Sequence, residues 1–321
     1  MASTTTGLST TMSIFYDKVF LERAKAELRH DFGATVKKQK ENNGKTIYFN
    51  RLTPLALATT ALTEGVNPTS TDMTATLVSA VLAEYGNFTA VGSLYKMTSI
   101  DEDLKEHIEV HGQNAGETID VLIRNVLLSN ATDQIVATAT TSNTTTAIHT
   151  SDVITGLEIR KAVRTLKLNK APRFPGAMYR GIIGPAVAMD LFGNSEWLDA
   201  HRYTTSEAIE RGIIGKLHGV EFVETNQPAV SLSGGFSAAA SSVANVYHTF
   251  IFGRGAYGIV SLDSFSAPKI YVKNPGANST DNPIDMFSTI GWKMPFVAVM
   301  LNATWAIDVN TGATNGDTAA F

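Results

Sequence analysis

The chain has 321 residues, a net charge of −4, a pI near 6.0, 44% hydrophobic and 17% charged residues, and no cysteine. That apolar share excludes a disordered chain, and the missing cysteines exclude disulfides, thiolate zinc sites and cysteine nucleophiles. The acidic balance lacks the basic surplus that drives phosphate binding through counterion release, and the charged share lies below the roughly 25% of an average soluble domain, which points to surface covered by something other than water.

Met1 to about Phe32 reads as an arm, with a Ser/Thr-rich leader ahead of a short helical segment, Phe15 to His30. Such a segment cannot pack on itself and needs a surface to lie on. No basic region followed by a long apolar run stands at the N-terminus, so no secretory signal is read. The apolar stretches at Gly181–Phe192 and Met294–Ile307 are too short and interrupted to span a bilayer. The expectation is synthesis in the cytoplasm and no membrane partner.

Lys45 to Leu57 and Met73 to Val91 are rich in Thr, Val, Ile, Tyr and Phe, and partly alternate as strands do. The turn-prone run Glu64-Gly65-Val66-Asn67-Pro68 separates them. Together they predict a long hairpin with arms of about 40 Å, against a radius of gyration of about 20 Å for a compact chain of this length. A hairpin of that reach projects, and alone in water it is marginal.

A long helix is expected from Ile100 to about Leu128, with one stripe at Ile100, Leu104, Ile108, His111, Ala115, Ile119, Leu122 and Val126. Ser99-Ile100-Asp101-Glu102 fits a capping box at its start. After a Thr-rich link, Ala137 to Thr150, a second helix is capped by Ser151 or Asp152 and stopped at Ala171-Pro172. Short elements follow at Tyr179–Ile183, Ala186–Phe192, Lys216–Glu224 and Val246–Leu262. Strand-like sequence returns at Lys269–Val272 and Ile290–Val309. The outline is α+β.

Chemical motifs are few. Gly253-Arg254-Gly255-Ala256-Tyr257-Gly258 matches a dinucleotide fingerprint by letter, but a strand-like run follows where the mechanism needs a helix N-terminus. A glycine turn between strands is the favoured reading, and no cofactor is expected. His107 and His111 lie four apart, yet the glutamate of a zincin helix is out of register and no third ligand is evident, so no metal is expected. Arg160, Arg164 and Lys167 form a basic face on the second helix. A solvated face, complemented by the helix C-terminus and by acids on a neighbour, is preferred over phosphate contact. No nucleophile elbow, Walker loop or paired-carboxylate signature is present, and no enzymatic activity is expected.

An ordered series of short matches, from about residue 45 to 305, resembles the major capsid proteins of tailed phages, specifically the phage N-four type, with the Hong Kong 97 type of capsid fold. It comprises Leu62-Thr63-Glu64-Gly65, Tyr85-Gly86, Gly116-Glu117-Thr118-Ile119-Asp120, Ile159 to Arg164 with Lys170-Ala171-Pro172, and Trp197-Leu198-Asp199-Ala200-His201. Gly215-Lys216-Leu217, Gly219-Val220, Phe222 to Thr225, Ala256-Tyr257-Gly258, Gly291-Trp292-Lys293 and Leu301-Asn302 with Trp305 continue it.

The resemblance implies a shell subunit with an N-terminal arm (1–34), an extended hairpin or E-loop (35–94), a peripheral domain with a spine helix (95–150 and 263–321) and an axial domain (151–262). Its partners would be copies of itself in hexamers and pentamers, a separate scaffolding protein, a portal and a decoration protein. The shell would enclose double-stranded DNA without reading its sequence. Leu62, Thr63, Glu64, Gly65, Tyr85 and Gly86 would be contact residues of the E-loop tip and base, and Arg160, Arg164 and Lys167 the basic helix of the axial domain. Lys–Asn crosslinks, known in some such shells, are not expected here. The alternatives are an encapsulin-like cellular compartment and a nucleotide-dependent enzyme built on the glycine run.

Overall fold

The computed structural model describes residues 17–24, 28–53, 55–67, 69–98, 103–131, 133–137, 148, 151–197, 215–231, 245–263, 267–273 and 286–314. In chain order these form a helical turn (α1, residues 17–24) and strands β1 (Thr35–Gln39), β2 (Thr46–Leu52), β3 (Ala75–Val81) and β4 (Ala83–Gly92). The helices α2 (Ser93–Thr98) and α3 (Asp103–Asn130) follow, then β5 (Asp133–Val136), α4 (Gly156–Leu168), β6 (Tyr179–Ile183) and α5 (Pro185–Phe192). The remaining strands are β7 (Lys216–Leu217), β8 (Val220–Glu224), β9 (Ala229–Ser231), β10 (Val246–Phe252), β11 (Tyr257–Leu262), β12 (Lys269–Lys273), β13 (Phe287–Met300) and β14 (Ala306–Thr311).

Two sheets organise the chain. The first has five strands in the order β1-β11-β13-β12, with β4 on the other side of β13. The second has seven, in the order β5-β14-β10-β6-β8-β7, with β9 on β10. Three connections pass between them, the longest through α2 and α3 from β4 to β5. The turn after β10 carries the chain to β11, and a 3-10 turn at Ala303–Trp305 carries β13 into β14. The outline is therefore α+β, as expected.

The strand β13 is the axis of the first sheet. Its residues alternate between two faces. Ile290, Trp292, Met294 and Phe296 join Ile108, Ala115, Ile119, Ile123 and Leu127 of α3 in one core, and Trp292 Nε1 donates to Asn114 Oδ1 of α3 at 3.0 Å. The helix therefore covers that face. The expected stripe holds at Ile108, His111, Ala115 and Ile119, then drifts to Ile123 and Leu127 in place of Leu122 and Val126. The expected capping box at Ser99–Glu102 lies outside the described residues. Phe20 and Ala24 of α1 are buried, Phe20 within the core of α3, so this part of the arm rests on the chain's own long helix.

The predicted hairpin is shorter than expected. Its strands β2 and β3 do pair antiparallel, from Thr46↔Val81 to Leu52↔Ala75. The block Met73–Val91, however, is two strands broken at the buried Leu82. Its second half, β4, leaves the ribbon and pairs with β13 from Gly92↔Phe287 to Ala83↔Phe296. Alternation alone could not show that break, because a strand that changes partner keeps its period. Ile47, Leu82 and Val260, with Phe49, Leu262 and Val297, form a small core that seats the ribbon base on the second face of the first sheet.

In the second sheet, β10 is buried at every position and runs at its centre. The helix α4 packs Ile159, Ala162, Val163 and Leu166 against a core shared with Ile183, Val187, Leu191, Val220, Ile251 and Ile307. It begins three residues later than predicted. Its N-cap is Thr155, not Ser151 or Asp152, with a reciprocal capping box to Glu158. The strands β5 and β14 also belong to this sheet, parallel to each other, and no expectation had placed β5.

Candidate assembly surfaces

The ribbon carries the first candidate surface. Every described residue from 50 to 77 is exposed. Among them are Leu52, Leu55, Leu57 (81%), Leu62 (74%), Val66, Met73 and Leu77. Between residues 52 and 71 the one charged residue is Glu64. The tip is a turn in which Val66 N–H donates to Thr63 O at 3.2 Å and Gly65 takes a φ of +78°, a value glycine adopts without strain. Leu62, Thr63, Glu64 and Gly65 therefore stand together at the tip, as predicted. Tyr85 and Gly86 were expected in its return strand, at the base. They lie on β4 opposite Met294 and Lys293, in the first sheet and not on the ribbon.

A nearly uncharged extension rich in leucine cannot bury its apolar side chains against itself. Contiguous exposed apolar surface of this kind marks an interaction site.

The basic face of α4 is the second candidate. Arg160, Arg164 and Lys167 lie side by side along a cleft of about 530 Å³ that Val163, Leu168 and His218 complete. Arg160 pairs with Glu196 at 3.3 Å, and His218 Nε2 meets the same carboxylate at 3.0 Å. The hydrogen bond from His218, and with it the charge of Arg160, outweighs burial and holds the Glu196 carboxyl below its ordinary range. One acid that complements this face, at Arg160, is thus within the chain.

Two buried polar clusters escaped the sequence reading. In the first, the backbone N–H groups of Arg29 and His30 donate to Asp120 Oδ1 at 2.8 and 2.7 Å. His30 Nδ1 donates to Oδ2 at 2.7 Å, Thr225 Oγ1 donates to the same oxygen at 3.3 Å, and the Tyr257 hydroxyl donates to His30 O at 2.6 Å. Burial alone would raise the Asp120 carboxyl, but these bonds and the His30 ring hold it below its ordinary range. Burial drives the Tyr257 hydroxyl well above its own, followed by the charges of Asp31 and Asp120.

In the second cluster, Ser231 Oγ lies 2.7 Å from His248 Nε2, and His248 Nδ1 lies 2.8 Å from Asp308 Oδ2. The order is that of a serine nucleophile, base and acid. The three side chains come from β9, β10 and β14, adjacent strands of one sheet, and His248 and Asp308 are buried. Only tertiary packing in the first cluster and strand pairing in the second bring these residues together, so no spacing in the sequence could signal either.

The predicted chemical motifs resolve simply. Gly253–Gly258 is the turn from β10 to β11, with Gly255 at a φ of +79° and a strand after it. His111 is held between α3 and β4, its Nε2 2.9 Å from Thr89 Oγ1. Burial and the charge of His107 lower its pKa. Among the described residues no group of three or more His, Asp or Glu side chains is placed to hold a metal, and no helix is long and apolar enough to cross a membrane.

No protein-family model matches the sequence, and no curated protein matches it. Solved structures do. The capsid of Ralstonia phage GP4 aligns with a TM-score of 0.67 at 10% identity, over 92% of this chain and 93% of that one. The capsid of cyanophage P-SCSP1u gives 0.61 at 14% identity over 87% and 86%. That of cyanophage Pam1 gives 0.60 at 14% over 92% and 93%. The chain has a phage capsid fold. Each alignment spans nearly the whole of both chains. At these identities the likeness is one of backbone architecture, and the side chains described above are this chain's own.

Proposed function

We propose that this protein is the major capsid protein of a tailed phage, of the phage N-four type, which self-assembles into an icosahedral shell enclosing double-stranded DNA. One observation carries the reading: the chain aligns with phage capsid proteins over 86–93% of their length. The exposed ribbon supports it, since a leucine-rich, nearly uncharged projection is what a subunit bound to its own copies requires. In Hong Kong 97 terms, the ribbon and its loop act as the E-loop, α3 as the spine helix, the first sheet as the body of the peripheral domain, and α4 with the second sheet as the axial domain around five-fold and six-fold centres, which moves β11 out of the expected axial span 151–262 and brings β5 and β14 into that domain.

The physics is summed weak association. A specific interface buries on the order of 800 Å² per partner, and closed symmetry multiplies modest contacts through high effective concentration. The net charge of −4 suits an inner wall that holds DNA without gripping it. A separate scaffolding protein, a portal and a decoration protein are the further partners. The Ser231–His248–Asp308 string acts as a cross-strand tie, and the protein catalyses nothing.

Negative-stain microscopy and size-exclusion chromatography of the recombinant chain test this, alone and co-expressed with the scaffolding candidate encoded beside it. Closed shells hundreds of ångströms across are the expected result. A persistent monomer or small oligomer under both conditions overturns it.

A further inference from the structure

The helix α4 has two unlike faces. Ile159, Ala162, Val163 and Leu166 are buried in the core of the second sheet, and Arg160, Arg164 and Lys167 stand exposed at spacings of four and three. Residues so spaced are neighbours on a helix surface, and like charges there cost the helix stability unless a counter-charge offsets them.

An acid answers only the first of the three. Arg160 Nη2 lies 3.3 Å from Glu196 Oε1. The one acid of α4, Glu158, serves Lys161 at 3.7 Å. Among the described residues no carboxylate pairs with Arg164 or Lys167.

The same row lines a cleft of about 530 Å³, and His218 lines it as well, from the turn between β7 and β8. In that turn His218 takes a φ of +48° and Gly219 one of +84°, the left-handed pair of a two-residue hairpin turn. The turn thus sets an imidazole at the cleft where a glycine would sit with less strain. His218 Nε2 lies 3.0 Å from Glu196 Oε2. Glu196 therefore holds Arg160 and His218 through its two oxygens, and leaves Arg164 and Lys167 on the same cleft without a counter-charge.

We infer that this cleft binds a small phosphate-bearing anion, its phosphate seated between Arg164 and Lys167. The guanidinium of Arg164 offers a planar fork that takes two phosphate oxygens at once, and Lys167 adds a point charge. At a rise of 1.5 Å per residue the two stand about 4.5 Å apart along the helix axis, a span that one phosphate or two linked phosphates fill. Val163 and Leu168 give the cleft an apolar part, which suits the organic body of a small molecule. Duplex DNA suits these cations less well. The carboxylate of Glu196 stands in the same row, and the net charge of −4 lacks the basic surplus that drives binding along a nucleic-acid backbone. The site is complete within one chain, so it stands or falls apart from the shell reading.

Isothermal titration calorimetry of the unassembled chain with inorganic pyrophosphate at low salt tests this. The wild type is compared with the double variant Arg164→Gln with Lys167→Gln, and with Lys161→Gln as control. All three positions are exposed, so folding is not at stake. Lys161 lies outside the cleft lining, so its loss removes a charge from the same helix and leaves the site intact. Thermal unfolding gives a second readout, because a ligand bound only by the folded chain raises the melting temperature.

The expected result is saturable binding by the wild type, weakened at least tenfold in the double variant and within twofold of wild type in the control. Pyrophosphate should raise the melting temperature of the wild type and the control but not of the double variant. No saturable binding by the wild type overturns the inference. A short DNA duplex that binds through Arg164 and Lys167 more tightly than pyrophosphate does overturns it in favour of the DNA backbone. A double variant that binds pyrophosphate as the wild type does, yet no longer assembles, overturns it in favour of acids on a neighbouring copy.

Discussion

The Nδ1 of His30 lies 2.7 Å from Oδ2 of Asp120, with the two side chains 1% and 0% exposed. This contact ties the segment before β1 to the middle of the long helix α3, and Thr225 adds the loop after β8. Tyr257 of β11 closes the knot through the His30 carbonyl. Residues 90 or more apart in sequence thus share one buried carboxylate, and the two sheets are pinned to the same point on α3.

Asp120→Ala leaves buried donors on Arg29, His30 and Thr225 without an acceptor. Removing one partner of such a buried pair costs about 3–5 kcal/mol, and urea unfolding of the unassembled chain measures it. The folded-state pKa of Asp120 is lowered, so its contribution is present above the unfolded carboxylate value of about 3.9 and is lost as pH falls through the folded value. The wild-type chain should lose stability steeply below about pH 4, and Asp120→Ala should show a shallower acid limb. Equal acid limbs in the two proteins would remove Asp120 from this role.

Thr155 caps α4, receiving the Leu157 N–H while Glu158 accepts from the Thr155 backbone N–H. Thr155→Ala should destabilise the chain by about 1 kcal/mol. Ser151→Ala, at the position the sequence favoured, should change stability by less than about 0.5 kcal/mol. Thermal unfolding of both variants decides between the two positions.

Legibility followed the range of the interaction. The helix α3 was readable because one stripe of apolar residues writes its period into the chain, and β6 (Tyr179–Ile183) because its five residues stand between clear breaks. The start of α4 was misplaced because Ser151, Asp152 and Thr155 all suit an N-cap, although only Thr155 has a glutamate, Glu158, three residues on to complete a capping box. The break at Leu82 was invisible, since β3 and β4 share a strand period while pairing with different partners. The tip residues Leu62 to Gly65 were found from local turn chemistry. The row Phe88–Gly291–Tyr271 was not, because its members become neighbours only through two separate strand pairings.

Ser231 and His248 have the distances of a nucleophile and its base, which makes Ser231→Ala informative. As a cross-strand tie the serine contributes one hydrogen bond, so its loss should cost about 0.5–1.5 kcal/mol of stability while particle yield is unchanged. A fluorophosphonate probe should label wild type and Ser231→Ala equally weakly. Strong labelling of the wild type that vanishes in the variant would contradict a purely structural protein.

The ribbon loop predicts a separation of folding from assembly. Leu57 and Leu62 are among its most exposed side chains, so Leu57→Glu with Leu62→Glu should alter the unfolding free energy of the free subunit by no more than about 0.5 kcal/mol per site. In a shell, a leucine buried against a neighbour contributes about 1.5–3 kcal/mol, and each 1.4 kcal/mol is about tenfold in an equilibrium constant. The double variant should therefore raise the subunit concentration needed for assembly by at least about tenfold, read from light scattering across a dilution series. Val36→Glu, at an exposed apolar position on β1, separates a general effect of added charge from one specific to the loop. Assembly of the double variant at the wild-type concentration would mean that the loop's leucines stay in solvent in the shell, and that the ribbon does not hold neighbouring subunits together.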